Sequence, residues 1–294
     1  MIVSHTVLPE IITMPAPLVW FEIPSPFETA PGSVLLADPP KANIRKLQAM
    51  LLDETYPKPF VIDDGELLTL YFNIRLIQSV MRLDTPNTLE LRYTRKMMSF
   101  LLFNPYPKRI TMIGMGGGSL VKFCHQRLPS ASVTAIELDP DVIAYRDIFK
   151  LPPDGPRLQV LQADGAEYLA GEDKGPDVLL VDAFDKIGLA PALASREFFE
   201  TAFARLSPNG QFIINLAGDK RRFRGLIAEV QDVFDGRVIV VPVRGDGNSV
   251  LLAFKDARFK PNWRLLHKQA KALNDKFGLD FPDYARKIEI AVKR

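Results

Sequence analysis

Two acids three positions apart, Asp182 and Asp185 in the run Asp182-Ala183-Phe184-Asp185, are the side chains here best suited to chemistry. Paired carboxylates attract an ammonium, take its proton and orient the freed lone pair. An amine with a pKa of about 10 needs that help before it can attack. Asp182 also ends a short apolar run, and three other such runs end in a carboxylate or a glycine cluster. Arg109–Ile113 leads into Gly114-Met115-Gly116-Gly117-Gly118, Ser132–Ile136 into Glu137, Arg157–Leu161 into Gln162-Ala163-Asp164, and Asp177–Val181 into Asp182. Short apolar runs separated by helix-length stretches are the pattern of buried parallel strands. Ligands of such a sheet lie outside the carboxyl ends of its strands, where strand order reverses. Together the four strand ends describe a pocket for a nucleoside that carries a sulfonium.

Gly114, Gly116 and Gly118 open a helix after the first strand, where glycine permits a tight turn and close backbone approach to a ligand. Glu137 stands where a carboxylate accepts both ribose hydroxyls; the plainer alternative is a solvated strand-end acid. Asp164, followed by Gly165, either accepts the adenine amino hydrogens or caps the helix that begins there. Asp182 belongs to the site on either of two readings, one in which Asp185 meets an amine and one in which Asp185 caps a helix. Gln78 and Tyr93 precede the glycine loop and are candidates to line the pocket, although a tyrosine there is equally at home in a core. The histidines His5, His125 and His267 are scattered without metal-ligand spacing, and no metal is expected.

The elements that must hold these residues are legible in outline. Residues 1–59 are rich in proline and read as an arm with few regular elements beyond a helical patch near 44–52. Residues 60–104 read as a small β-meander with a linking helix over Thr88–Phe103. Residues 105–255 alternate strands with helices, as a doubly wound and mostly parallel seven-stranded α/β sheet does. That domain ends in a hairpin, Arg237–Val243 with Ser249–Phe254, and a terminal antiparallel hairpin marks the S-adenosylmethionine-dependent transferase version of the fold. Residues 256–294 read as a basic helical tail whose stripe Trp263, Leu266, Ala270, Leu273 and Phe277 is a packing face.

Composition narrows the class. A net charge of +2 over 294 residues implies no nucleic-acid partner. The single cysteine, Cys124, excludes an internal disulfide and fits a reducing compartment. No apolar run approaches the roughly 20 residues of a membrane span. A cytoplasmic enzyme without a membrane partner, assembled as a homodimer, is the expectation.

Over residues 60–255 the chain resembles the polyamine aminopropyltransferases, the spermidine and spermine synthases. The likeness is carried by Gln78, Ile113-Gly114-Met115-Gly116-Gly117-Gly118, Glu137-Leu138-Asp139-Pro140, Asp164-Gly165 and Asp182-Ala183-Phe184-Asp185. The resemblance implies that Glu137 holds ribose, Asp164 adenine, and Gln78 the nucleoside from the small domain, with Asp182 as base and Asp185 on the amine. It implies decarboxylated S-adenosylmethionine as co-substrate and a small-molecule amine such as putrescine as acceptor. Three positions depart from the family pattern: Gly117 replaces an aspartate, Tyr93 is shifted by about one residue, and Lys186 replaces a proline. The alternatives are a small-molecule methyltransferase using S-adenosylmethionine itself and a catalytically silent nucleoside-binding protein.

Overall fold

The structure, a computed structural model, describes residues 18–171, 175–184, 188–218, 220–245 and 247–293. The chain first builds a five-stranded antiparallel sheet from β1 (Val19–Pro24), β2 (Ser33–Asp38), β3 (Phe60–Asp63), β4 (Leu67–Asn73) and β5 (Leu76–Arg82), in consecutive order. Helix α1 (Ile44–Leu52) fills the crossing between β2 and β3, with Asn43 accepting the first-turn amides of Arg45 and Lys46. The β3–β4 turn is closed by Asp64, which accepts from Glu66 N and Leu67 N, while Gly65 takes φ +90°.

The region expected to be a proline-rich arm therefore contributes two strands and a helix from residue 19 onward. The prolines punctuate these elements without preventing them. Pro24 is the last residue of edge strand β1, a position that needs no ladder donor, and Pro26, Pro31, Pro39 and Pro40 fall in the connections. Val34 and Leu36 on β2 are fully buried. Residues 1–17 of the expected arm lie outside the described residues.

The linking helix is also shorter than expected. α2 covers Arg92–Met97 and tightens into a 3₁₀ turn over Met98–Leu102. Its earlier start is blocked because the Arg95 guanidinium takes the carbonyls of Leu89 and Glu90, which an extended helix would need.

The second sheet has seven strands: β6 (Arg109–Ile113), β7 (Ser132–Glu137), β8 (Leu158–Gln162), β9 (Val178–Val181), β10 (Gln211–Leu216), β11 (Val238–Pro242) and β12 (Ser249–Phe254). Their order across the sheet is β11-β12-β10-β9-β6-β7-β8. β12 pairs antiparallel with both β10 and β11, and the other pairs are parallel. Strand order reverses between β6 and β9, so the crevice predicted by topology opens over the ends of those two strands. Helices α3 (Ser119–Arg127), α4 (Pro140–Ala144), α5 (Gly165–Gly171), α6 (Arg196–Arg205) and α7 (Arg224–Val233) connect the strands. The tail forms α8 (Trp263–Phe277) and α9 (Phe281–Val292), which bury Leu266, Ala270, Leu273, Phe277, Phe281 and Ile288. Among the described residues, no helix is long and apolar enough to cross a membrane.

Candidate active site

Three backbone bonds bring the strand ends to one level: Gly114 N donates to Ile136 O, Asp182 N to Ile113 O, and Ala163 N to Glu137 O. Glycine-loop, Glu137, Asp164 and Asp182 are thereby gathered along one sheet edge. Gly114 takes φ +89°, and a β-carbon there would lie 2.2 Å from the Asp182 carbonyl oxygen. The loop can follow this path only with glycine at that point. Gly116 and Gly118 also take positive φ, 51° and 71°, and Gly118 begins α3 with no side chain on the first-turn amides. First-turn amides of a helix have no partner within the helix, so those of α3 are available as donors.

Glu137 is half-buried and has a structural duty that the sequence did not reveal. One carboxylate oxygen accepts from Met115 N at 2.9 Å, and the other accepts from Asp139 N at 3.0 Å. It pins the glycine loop to the end of β7. A carboxylate has about four lone-pair positions, so capacity for two further donors remains.

Asp164 is the N-terminal cap of α5. Its Oδ1 accepts from Ala166 N at 2.8 Å and from Glu167 N at 3.1 Å. Both cap bonds use Oδ1. Gly165 is required by packing, because a β-carbon there would stand 2.3 Å from Ile113 Cγ2 on β6.

Asp182 follows β9 at the switch point. Its Oδ1 accepts from Asn215 Nδ2 at 2.9 Å, and Asn215 Oδ1 accepts in turn from Asn248 Nδ2 at 3.1 Å. Tyr93, from α2, also hydrogen-bonds the carboxylate. Burial raises the Asp182 pKa to about 6, against the opposing pull of Asn215 and Tyr93. Sequence spacing set Tyr93 out of step, yet the structure brings it to Asp182. Asp185 and Lys186 lie outside the described residues.

Gln78 sits on β5, with its carbonyl oxygen 3.7 Å from where a Gly116 β-carbon would stand. β5 thus covers the glycine loop from the small sheet. At Gly117 the wall is closed. A β-carbon there would lie 2.7 Å from Phe149 Cδ1 and 2.8 Å from Ser79 Oγ. Phe149 is fully buried, and its carbonyl accepts from the buried Lys122 Nζ at 2.7 Å. Lys122 also meets Met81 Sδ at 3.0 Å, and burial lowers its pKa to about 8. A cavity of about 470 Å³ opens elsewhere, lined by Phe103, Gln211, Phe254 and Phe259, and none of the candidate residues lines it.

Sequence reasoning missed Asn215, Asn248, Ser79, Phe149 and Lys122. One signal was available: Asn215 interrupts the apolar run Phe212–Leu216 of β10, every residue of which is buried. A buried amide in such a run has a partner to satisfy.

A doubly wound sheet with an inserted antiparallel strand, a glycine loop at one strand end and acids at three others is the layout of a transferase of the S-adenosylmethionine-dependent type. Residues 90–222 match the family model of the spermine/spermidine synthase domain. The chain is 37% identical over 237 residues to the polyamine aminopropyltransferase of Chromobacterium violaceum, covering 80% of this chain and 91% of that protein. The structure of a probable spermidine synthase from Corynebacterium glutamicum superposes with a TM-score of 0.60 at 21% identity, covering 72% of this chain and 84% of that one. Human methyltransferase-like protein 13 in complex with SAH superposes with a TM-score of 0.59 at 26% identity, covering 64% of this chain and 93% of that one. The chain belongs to the spermine/spermidine synthase family.

Proposed function

We propose that the protein transfers the aminopropyl group of decarboxylated S-adenosylmethionine to a small amine such as putrescine, releasing methylthioadenosine. The observation that carries this reading is Asp182. A carboxylate at the switch point, held by Asn215 and Tyr93 with its pKa raised to about 6, is a better proton acceptor than an ordinary aspartate and still ionised at neutral pH. Family membership supports the same reaction.

The adenosyl end suits the residues present. Glu137 accepts ribose hydroxyls with its remaining lone pairs, Asp164 Oδ2 accepts the adenine amino group, and Gly116 and Gly118 let backbone approach closely, with Gln78 beside them. Asp182 takes a proton from the acceptor ammonium. The freed lone pair forms the new nitrogen–carbon bond as the carbon–sulfur bond breaks, its electrons staying on the sulfur of the thioether. Asp185 is assigned the far end of the amine. Most of the acceleration comes from holding nucleophile and carbon in line, with proton transfer adding to it.

The likeness to methyltransferase-like protein 13 in complex with SAH supports a second reading, methyl transfer from S-adenosylmethionine at the same nucleoside site. Incubation with each sulfonium donor and a panel of amines separates the two. Methylthioadenosine by mass spectrometry, dependent on the decarboxylated donor and an amine, is the expected product. S-adenosylhomocysteine instead would establish the methyltransferase, and neither product with any amine would refute both.

A further inference from the structure

The hydrogen bonds behind Asp182 have a direction. Asn248 Nδ2 donates to Asn215 Oδ1 at 3.1 Å, and Asn215 Nδ2 donates to Asp182 Oδ1 at 2.9 Å. Both amides are buried, Asn215 at 2% exposure and Asn248 at 9%. Asn215 lies on β10, Asn248 immediately precedes β12, and the two strands pair with Asn215 opposite Val250. An amide has one accepting end and one donating end. Were Asn215 turned over, its oxygen would face the Asp182 carboxylate and its NH₂ would face the NH₂ of Asn248. The acceptor-only carboxylate and the Asn248 NH₂ therefore favour the same orientation of Asn215, holding it from both ends.

We propose that Asn215 and Asn248 are positioning residues: a two-amide relay, anchored in the sheet, that fixes the plane of the Asp182 carboxylate for proton transfer. The inference rests on Asp182 acting as the proposed base. The relay exploits the antiparallel insertion of β12, which carries Asn248 to the side of β10 away from β9. The carboxylate selects the NH₂ end of Asn215, and the second amide holds Asn215 from its other end. Among the described residues, few groups meet Asp182 or its amide partner. Tyr93 is the titratable group from α2, Asn215 and Asn248 are neutral, and Gly114 presents only backbone. A donor to the charged carboxylate favours its ionised form, so loss of the relay moves Asp182 toward the protonated one.

The test uses the full chain and a readout that does not require turnover. The Asp182 carboxyl is followed by ¹³C NMR titration, its resonance identified by its loss in Asp182→Asn. Asn215→Leu should raise the midpoint by about one pH unit. Asn248→Leu, which never touches Asp182, should raise it by a smaller amount, and Asn248→Ser, which keeps a donor, should restore part of the difference. In the aminopropyl-transfer assay the acid limb of kcat/KM should move the same way, with kcat falling more than the amine KM rises. Folding is checked by circular dichroism, and Asn248→Leu keeps the test open if Asn215→Leu does not fold. A parent-like midpoint in folded Asn248→Leu and Asn215→Leu overturns the relay. A shifted midpoint in a protein that makes no methylthioadenosine would uphold the relay and remove the proposed reaction instead.

Discussion

Gly114 and Asp182 meet backbone to backbone: the Asp182 carbonyl oxygen lies 2.2 Å from the place a Gly114 β-carbon would occupy, and Gly114 adopts φ +89°. The loop that approaches a ligand and the strand end that bears the proposed base are therefore one packed unit. Gly114→Ala introduces a left-handed strain of about 1–2 kcal/mol and a collision worth about 1–3 kcal/mol. Chemical denaturation should show a loss of that combined order, together with a fall in turnover as Asp182 is pushed away. Parent-like stability would mean that the two segments do not touch as described.

Asp182 should impose opposite effects on stability and activity. Its folded pKa is raised from 3.8 to about 6, so the native state holds the proton more tightly than the unfolded chain. The resulting penalty is absent below the unfolded value and fully present above the folded one. Asp182→Asn should therefore gain stability relative to the parent as pH rises from 3.5 to 7.5, by about 1–3 kcal/mol once partial solvent exposure is allowed for. Turnover should fall by about two to four decades, the range for loss of a general base. Denaturant titrations at the two pH values, beside steady-state kinetics, read both; a stability difference that does not vary with pH contradicts the raised pKa.

Glu137 carries two loads at once. Glu137→Ala removes the acceptor for Met115 N and Asp139 N as well as the proposed ribose contact. Calorimetry should show methylthioadenosine binding weakened by about 1.5–3 kcal/mol, one to two decades in Kd. The unfolding midpoint should also drop, because two partly buried amides lose their acceptor. Unchanged affinity in a folded variant would exclude Glu137 from the nucleoside site.

An acid cannot be added at Gly117 without rearranging its surroundings. Gly117→Asp places a side chain against the Phe149 ring and Ser79 Oγ. It should destabilise by about 1–3 kcal/mol, as overpacking does. Shortening Phe149 in the same chain should make the new side chain less costly, which a double-mutant cycle of Gly117→Asp with Phe149→Ala reads as a favourable coupling. Additive losses would show that Phe149 is not what closes the wall.

Much of this site was legible because strands with both faces covered are written as apolar runs, and a polar residue at the end of one stands out. Glu137, Asp164 and Asp182 were visible for that reason. The cap formed by Asp164 was one of two readings left open, since a carboxylate that caps α5 and one that faces a ligand have the same sequence appearance; the bonds of Glu137 to Met115 and Asp139 were not visible. β1 and β2 were hidden by their prolines, which mark strand ends and turns as readily as they mark irregular chain. Tyr93 was named as a candidate to line the pocket but its partner Asp182 was not, because a shift of one position in spacing says little about where a hydroxyl arrives. Asn248 was masked by its neighbours: Arg244-Gly245-Asp246-Gly247-Asn248 reads as hairpin turn, and no local pattern links it to Asn215 across the sheet.

The contacts joining the two sheets have a consequence for how the molecule holds together. Tyr145, just after α4, donates its hydroxyl toward Leu35 O at 3.0 Å and Pro59 O at 3.1 Å, and Lys58 pairs with Asp141 at 3.3 Å. Lys122 in α3 reaches Met81 on β5. These bonds begin on the helices that follow the glycine loop and Glu137, and they end on the small sheet. The large sheet excised alone would uncover an ammonium and a phenol whose partners had been cut away. The crevice at the switch point is therefore a property of the whole chain, and the two sheets are expected to melt as one cooperative body.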